Sequence, residues 1–118
     1  MPTKEQIEQV KVREWVRNNT DLPFIYIPND GKRSPQLGLL MKRMGLCPGA
    51  SDIFIPRATK RYHGLFIELK AGKNKPTLLQ LKFIDDMIIE GYGAYVAYGA
   101  EEAIAIIKQF YVNEITCA

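Results

Sequence analysis

The chain has 118 residues, 47% of them apolar, and a formal net charge of +3. That length suits a single domain, residues 1–118, and the apolar share supports a packed core rather than disorder. The charge permits a nucleic-acid partner without demanding one. No apolar run approaches the roughly 18–20 residues of a membrane span. The start, "MPTKEQIEQV", is polar, without the apolar core of a signal peptide. A single histidine, His63, argues against a His-based zinc site or a Ser–His triad. Cys47 and Cys117 are far apart and follow no metal spacing. They read as reduced thiols of an intracellular protein, with one disulfide as the alternative.

In chain order, "TKEQ" is a capping box, with Thr3 as N-cap and Gln6 three residues on. It predicts a helix to about residue 18. At 100° per residue its apolar face collects Val12, Trp15 and Val16, and Glu5 and Glu8 fall on the same arc. "FIYIP" (24–28) predicts a short strand and "NDGKRS" a turn. "PQLGLLMKRMG" predicts a short helix begun by Pro35 and stopped by Gly45. "DIFIP" (52–56) and "GLFIELK" (64–70) predict two strands joined by a basic loop. "TLLQLKFIDDMIIEG" predicts a helix capped at Thr77, "AYVAY" a strand and "AEEAIAIIKQFYV" a final amphipathic helix. The order α-β-α-β-β-α-β-α implies an α/β fold, a small mixed central β-sheet flanked by helices. The middle strands can form a hairpin, and the later strand–helix–strand is long enough for a parallel crossover.

Three charges stand out among apolar strand residues. Alternation puts Leu65, Ile67 and Leu69 on one face of their strand and Phe66, Glu68 and Lys70 on the other. If the two strands pair, Asp52 converges on Glu68. Carboxylates held close repel each other, and a divalent cation with a taste for hard oxygen ligands relieves that. Lys70 reaches the same space, where an ammonium can orient water or stabilise charge on a phosphate. The combination suits phosphodiester hydrolysis. The plainer alternative makes Asp52 a turn residue and Glu68/Lys70 a solvated pair. Gln80 lies in the middle of its helix's apolar arc, while Lys82, Asp85 and Asp86 face away. It also stands three residues after Thr77, where it can complete a capping box.

"GASD", then "LFIELK", then a helix carrying Gln80, resembles the PD-(D/E)xK nuclease superfamily. More narrowly, "IPNDGKRS", "GLLMKRMGLCPGASDIFI", "YHGLFIELKAGKNKPTLLQLKFI" and "GYGAYVAYGAEEAI" resemble its VRR-NUC family, the virus-type replication–repair nuclease domain. The first element departs from the superfamily pattern, reading Ser51-Asp52 with Pro48 four residues earlier. The resemblance implies a PD-(D/E)xK restriction-endonuclease-like core. It implies Asp52, Glu68 and the Leu69 carbonyl as ligands of Mg²⁺ or Mn²⁺, Lys70 as the water-positioning group and Gln80 as an active-site neighbour. An acid of the first helix completes the metal set. Glu5, four residues before Gln9, matches the family's Glu and Gln; Glu8 is the rival.

The cations form small groups: Lys32/Arg33, Lys42/Arg43, Arg57/Lys60/Arg61 and Lys73/Lys75. Each alone reads as a solvated cluster. Beside a nuclease site, Lys32, Arg33, Arg57, Lys60, Arg61, Lys73 and Lys75 become candidate phosphate contacts from flanking loops. Stand-alone members of the resembled family act as homodimers, and some cleave four-way junctions. The expected partners are therefore branched or junction-containing DNA and a second copy of the chain, with the tyrosines and the last helix's apolar surface as candidate interface. The expected setting is the cytoplasm of a bacterium or a phage-infected host cell. Competing readings are a DNA-binding module of the same fold that needs a partner for cleavage, and a structural α/β domain whose acids are incidental.

Overall fold

The structure, a computed structural model, describes residues 1–28 and 33–113. The elements follow the expected order: α1 (Lys4–Asn19), β1 (Ile25–Tyr26), α2 (Pro35–Arg43), β2 (Ile53–Ile55), β3 (Leu65–Lys70), α3 (Leu78–Ile89), β4 (Gly93–Tyr98) and α4 (Ala100–Phe110). Short-range chemistry starts the helices. At α1 the Thr3 hydroxyl accepts from the Gln6 N–H at 3.1 Å, and the Gln6 side chain accepts from the Thr3 N–H at 2.8 Å. Thr77 and Gln80 repeat that box at α3. Ser34 caps α2, with Pro35 as its first residue.

Two strands are shorter than their apolar patterns. β1 keeps only Ile25 and Tyr26 of residues 24–28, because Pro23 and Pro28 have no N–H to give a ladder. Ile27 still donates its N–H to the Asp52 carbonyl at 2.7 Å, tying this edge to the residue before β2. β2 keeps Ile53–Ile55 and stops at Pro56. The turn at residues 29–32 lies outside the described residues.

The sheet order is β1-β2-β3-β4. The first two pairings are antiparallel; β3 and β4 run parallel, joined by α3 as the crossover. β3 is buried along its whole length. Its Leu65, Ile67 and Leu69 join Ile53, Ile55 and Ala97 against Val12 and Val16 of α1 and Ala103 and Ile107 of α4. On the other face Phe66 packs with Phe54, Ala94 and Val96 under Phe83, Ile84 and Met87 of α3. Phe54 and Phe66 stack with ring centroids 4.3 Å apart. Burying this much apolar surface at about 25 cal/mol per Å² drives both layers together.

α4 spends its apolar face on the first layer. Ala100, Ala103, Ile107 and the following Tyr111 are all buried, so they are not available as an interface. Exposed apolar side chains are found on α2 (Leu37, Leu39, Leu40) and α3 (Leu78, Leu79, Ile88, Ile89), and also on α1 (Ile7, Val10), on β4 (Tyr95, Tyr98) and at Val112 after α4. Among the described residues, no helix is long and apolar enough to cross a membrane.

Candidate active site and metal centre

Alternation along β3 carries the Phe66 face onward to Glu68 and Lys70, past the end of the aromatic layer. Continuing the β2–β3 register one step beyond Ile53↔Ile67 sets Asp52 opposite Glu68. The Leu69 N–H donates to Asp52 Oδ2 at 2.9 Å and fixes that carboxylate. The first turn of α1 brings Glu5 to the same place. One carboxylate oxygen each of Glu5, Asp52 and Glu68 lies within 4.8 Å of the other two. Asp52, Glu68 and Lys70 are buried and Glu5 is half-buried.

Glu68 is the most constrained member, 1% exposed. Its Oε2 accepts from Gln80 Nε2 at 3.3 Å and faces Lys70 Nζ at 3.5 Å. Its Oε1 is buried without a hydrogen-bond partner. Burial, reinforced by the neighbouring Asp52, pushes its carboxyl up to about 8, although Lys70 pulls the other way. A buried carboxylate with an unpartnered oxygen, clustered with two further acids, is a defect that a cation removes. The donor set is all oxygen, which fits a hard divalent ion rather than a soft metal.

Gln80 serves both ends of its amide. Its Oε1 accepts from the Thr77 N–H at 2.9 Å, completing the helix cap, and its Nε2 reaches Glu68. The two sequence readings of this residue coexist because the first turn of α3 abuts the acids. That contact depends on the "PGASD" turn. Gly49 has φ +88°, and a Cβ there would stand 2.6 Å from the Leu79 backbone. Only glycine lets this turn approach α3 so closely.

The rival acid, Glu8, is engaged elsewhere. α4 begins at Gly99, which has no side chain to cap it. Glu8 supplies the cap from α1: its Oε1 accepts from the Ala100 N–H at 3.0 Å, and its Oε2 pairs with Lys11 at 2.9 Å. Those two contacts hold its carboxyl below the usual range. One residue away, the Gly99 N–H donates to the Lys70 carbonyl at 2.8 Å.

The cation groups separate. Arg33 and Lys42 line a small cleft shared with Asp52 and Gln80. Lys73 and Lys75 are exposed in the loop that follows Lys70. Lys32 lies outside the described residues. The β2–β3 loop, by contrast, does not flank the acids. A hairpin's loop sits opposite its open end, and at about 3.3 Å per residue β3 separates the two by roughly 15–20 Å. Arg57 there pairs with Asp21 at 3.4 Å. Lys60 and Arg61 line a different cleft, of about 1150 Å³, against α4. Glu5, Asp52 and Lys70 line a cleft of about 1100 Å³ between α1 and β1, with Glu68 buried behind them. Missing from the sequence expectations are its Arg13, Phe24, Tyr26 and Asn74. The four-residue spacing Glu5–Gln9–Arg13 along one helical stripe is the signal that points to Arg13; the remaining three carry no signal of their own.

This arrangement of crossover sheet, edge hairpin and buried acids defines a nuclease-type α/β domain. The chain belongs to the VRR-NUC family, whose domain model matches residues 2–101. It is similar to a solved structure described as a VRR-NUC domain protein, with 29% identity and a TM-score of 0.80. That likeness covers 93% of this chain and 89% of the other. No curated protein matches the chain.

Proposed function

We propose that the protein is a metal-dependent, structure-selective DNA endonuclease that cuts four-way junctions, or flaps and nicks, as a homodimer. The observation that carries this reading is the convergence of Glu5, Asp52 and Glu68 beside Lys70. Glu5, Asp52 and Glu68, with the Leu69 carbonyl, would hold Mg²⁺ or Mn²⁺. When bound, such an ion neutralises phosphate charge and lowers the pKa of a water nucleophile. Lys70, buried within reach of Glu68, positions that water and stabilises charge developing on the phosphate oxygens. Gln80 holds Glu68 through Oε2 and leaves its second oxygen without a protein donor, available to a cation. Arg33, in the cleft beside α2, and Lys73 and Lys75, exposed on the loop after Lys70, would supply sequence-independent affinity for phosphates from the two sides of the acids. A domain of this size has little surface for gripping branched DNA, and a two-fold dimer places two sites on a symmetric junction.

The test is cleavage of four-way junction, flap and linear duplex DNA with Mg²⁺, Mn²⁺ or EDTA. Metal-dependent cutting that is lost in Glu68→Ala and Lys70→Ala supports the reading. No cutting of any substrate at high enzyme concentration defeats it, and tight junction binding without cutting transfers support to a DNA-binding module that needs a partner. A monomer mass by light scattering at working concentration removes the dimer.

A further inference from the structure

Asp52 lines two clefts that meet at the acids, and their chemistries differ. On the α2–α3 side the walls carry Arg33 and Lys42, cations suited to duplex phosphates. The α1–β1 side is built otherwise. Gln6, Gln9 and Asn74 offer amide donors and acceptors, and Phe24 and Tyr26 offer ring faces. Arg13 stands over the Phe24 ring at 5.4 Å, and Lys4 and Lys70 line the same cleft, where they can meet the phosphates of a single strand, beside the carboxylates of Glu5 and Glu14. Tyr26 is 48% exposed on the two-residue edge strand. At about 1100 Å³ this cleft far exceeds the space an ion and its waters need.

The geometry points to the α1–β1 cleft as a subsite for unpaired nucleotides of the strand being cut, with a base stacked on Tyr26. The substrate then crosses the acids from paired to unpaired: duplex lies on the Arg33/Lys42 side and splayed bases lie against α1 and β1. Amides read base edges and aromatic rings stack bases whatever their sequence, whereas a duplex hides both surfaces. This deepens the nuclease reading and rests on it, because the scissile phosphate at Asp52 sets where the two clefts join.

The experiment measures binding by fluorescence anisotropy in the Lys70→Ala background with Mn²⁺, so that nothing is cut. Forked DNA with short unpaired arms is compared with a duplex of the same sequence. The expected result is a preference for the fork of about tenfold, within the range one base–aromatic stack supplies. Tyr26→Ala removes that preference and leaves duplex affinity unchanged, and Tyr26→Phe keeps it. Equal affinity for fork and duplex, or a Tyr26→Ala loss shared equally by both, overturns the subsite. Failure of the nuclease reading is seen separately, as absence of cutting by the wild-type protein.

Discussion

Glu68→Gln in the metal-free protein isolates the defect on which the site is built. The wild-type carboxyl titrates near 8 in the fold against 4.5 for the ordinary group. The folded chain therefore holds more protons than the unfolded chain between those values. Stability without metal is complete below about pH 4.5 and is lost as pH rises toward 8. At about 1.36 kcal/mol per unit, the whole window amounts to about 5 kcal/mol, and the span from pH 5.5 to 7.5 to about 3 kcal/mol. Glutamine keeps an oxygen that can accept from Gln80 but carries no charge, so that dependence vanishes. Urea denaturation in EDTA measures it directly. Trp15, the single tryptophan, is half-buried against the core and reports unfolding. The variant should be more stable than wild type at pH 7.5 and nearly equal at pH 5. Wild-type stability that stays flat or rises from pH 5.5 to 7.5 would refute the reasoning, as would a variant that follows the same slope.

Other outcomes follow from the same geometry. Saturating Mn²⁺ should flatten or reverse the wild-type pH dependence and release close to one proton at pH 7, because Glu68 must ionise to act as a ligand; titration calorimetry in buffers of different ionisation enthalpy reads this, and uptake of protons would contradict it. Glu8→Ala should cost about 0.5–2 kcal/mol in denaturation, the value of a helix cap, while Glu8→Gln, which keeps an acceptor for the Ala100 N–H, should lose less. Since that carboxyl titrates below its ordinary value, its contribution is present above the unfolded pKa and fades as pH falls through the folded one. Gly49→Ala must place a Cβ against the Leu79 backbone at positive φ, so it should destabilise by more than about 1–2 kcal/mol, the cost of the left-handed conformation alone; a change under about 0.5 kcal/mol would show that the turn can relax.

The element order, the capping boxes and the alternation that sets Glu68 beside Lys70 were legible in the sequence. They depend on spacings of two, three and four residues, and local geometry enforces those wherever a strand or helix forms. The apolar run "LFIELK" told correctly of a central strand because only a strand covered on both faces tolerates that composition. β1 was overextended, since the prolines that flank it, Pro23 and Pro28, have no N–H to continue a ladder, although the Ile27 N–H reaches on to the Asp52 carbonyl.

What required the tertiary structure was everything that joins distant segments. Glu5 and Glu8 share one arc of α1, and periodicity cannot separate them. Only the arrival of the Ala100 N–H at Glu8 shows that one acid is engaged by α4 and the other is left to the buried cluster. The basic β2–β3 loop lies close to the acids in sequence but at the opposite end of the hairpin in space. Arg13 and Tyr26, distant in sequence from Asp52, line the cleft that opens on it. Spacing along the chain determines which side chains share a face; the packing of α1 and α4 on one side of the sheet and α3 on the other determines which faces meet.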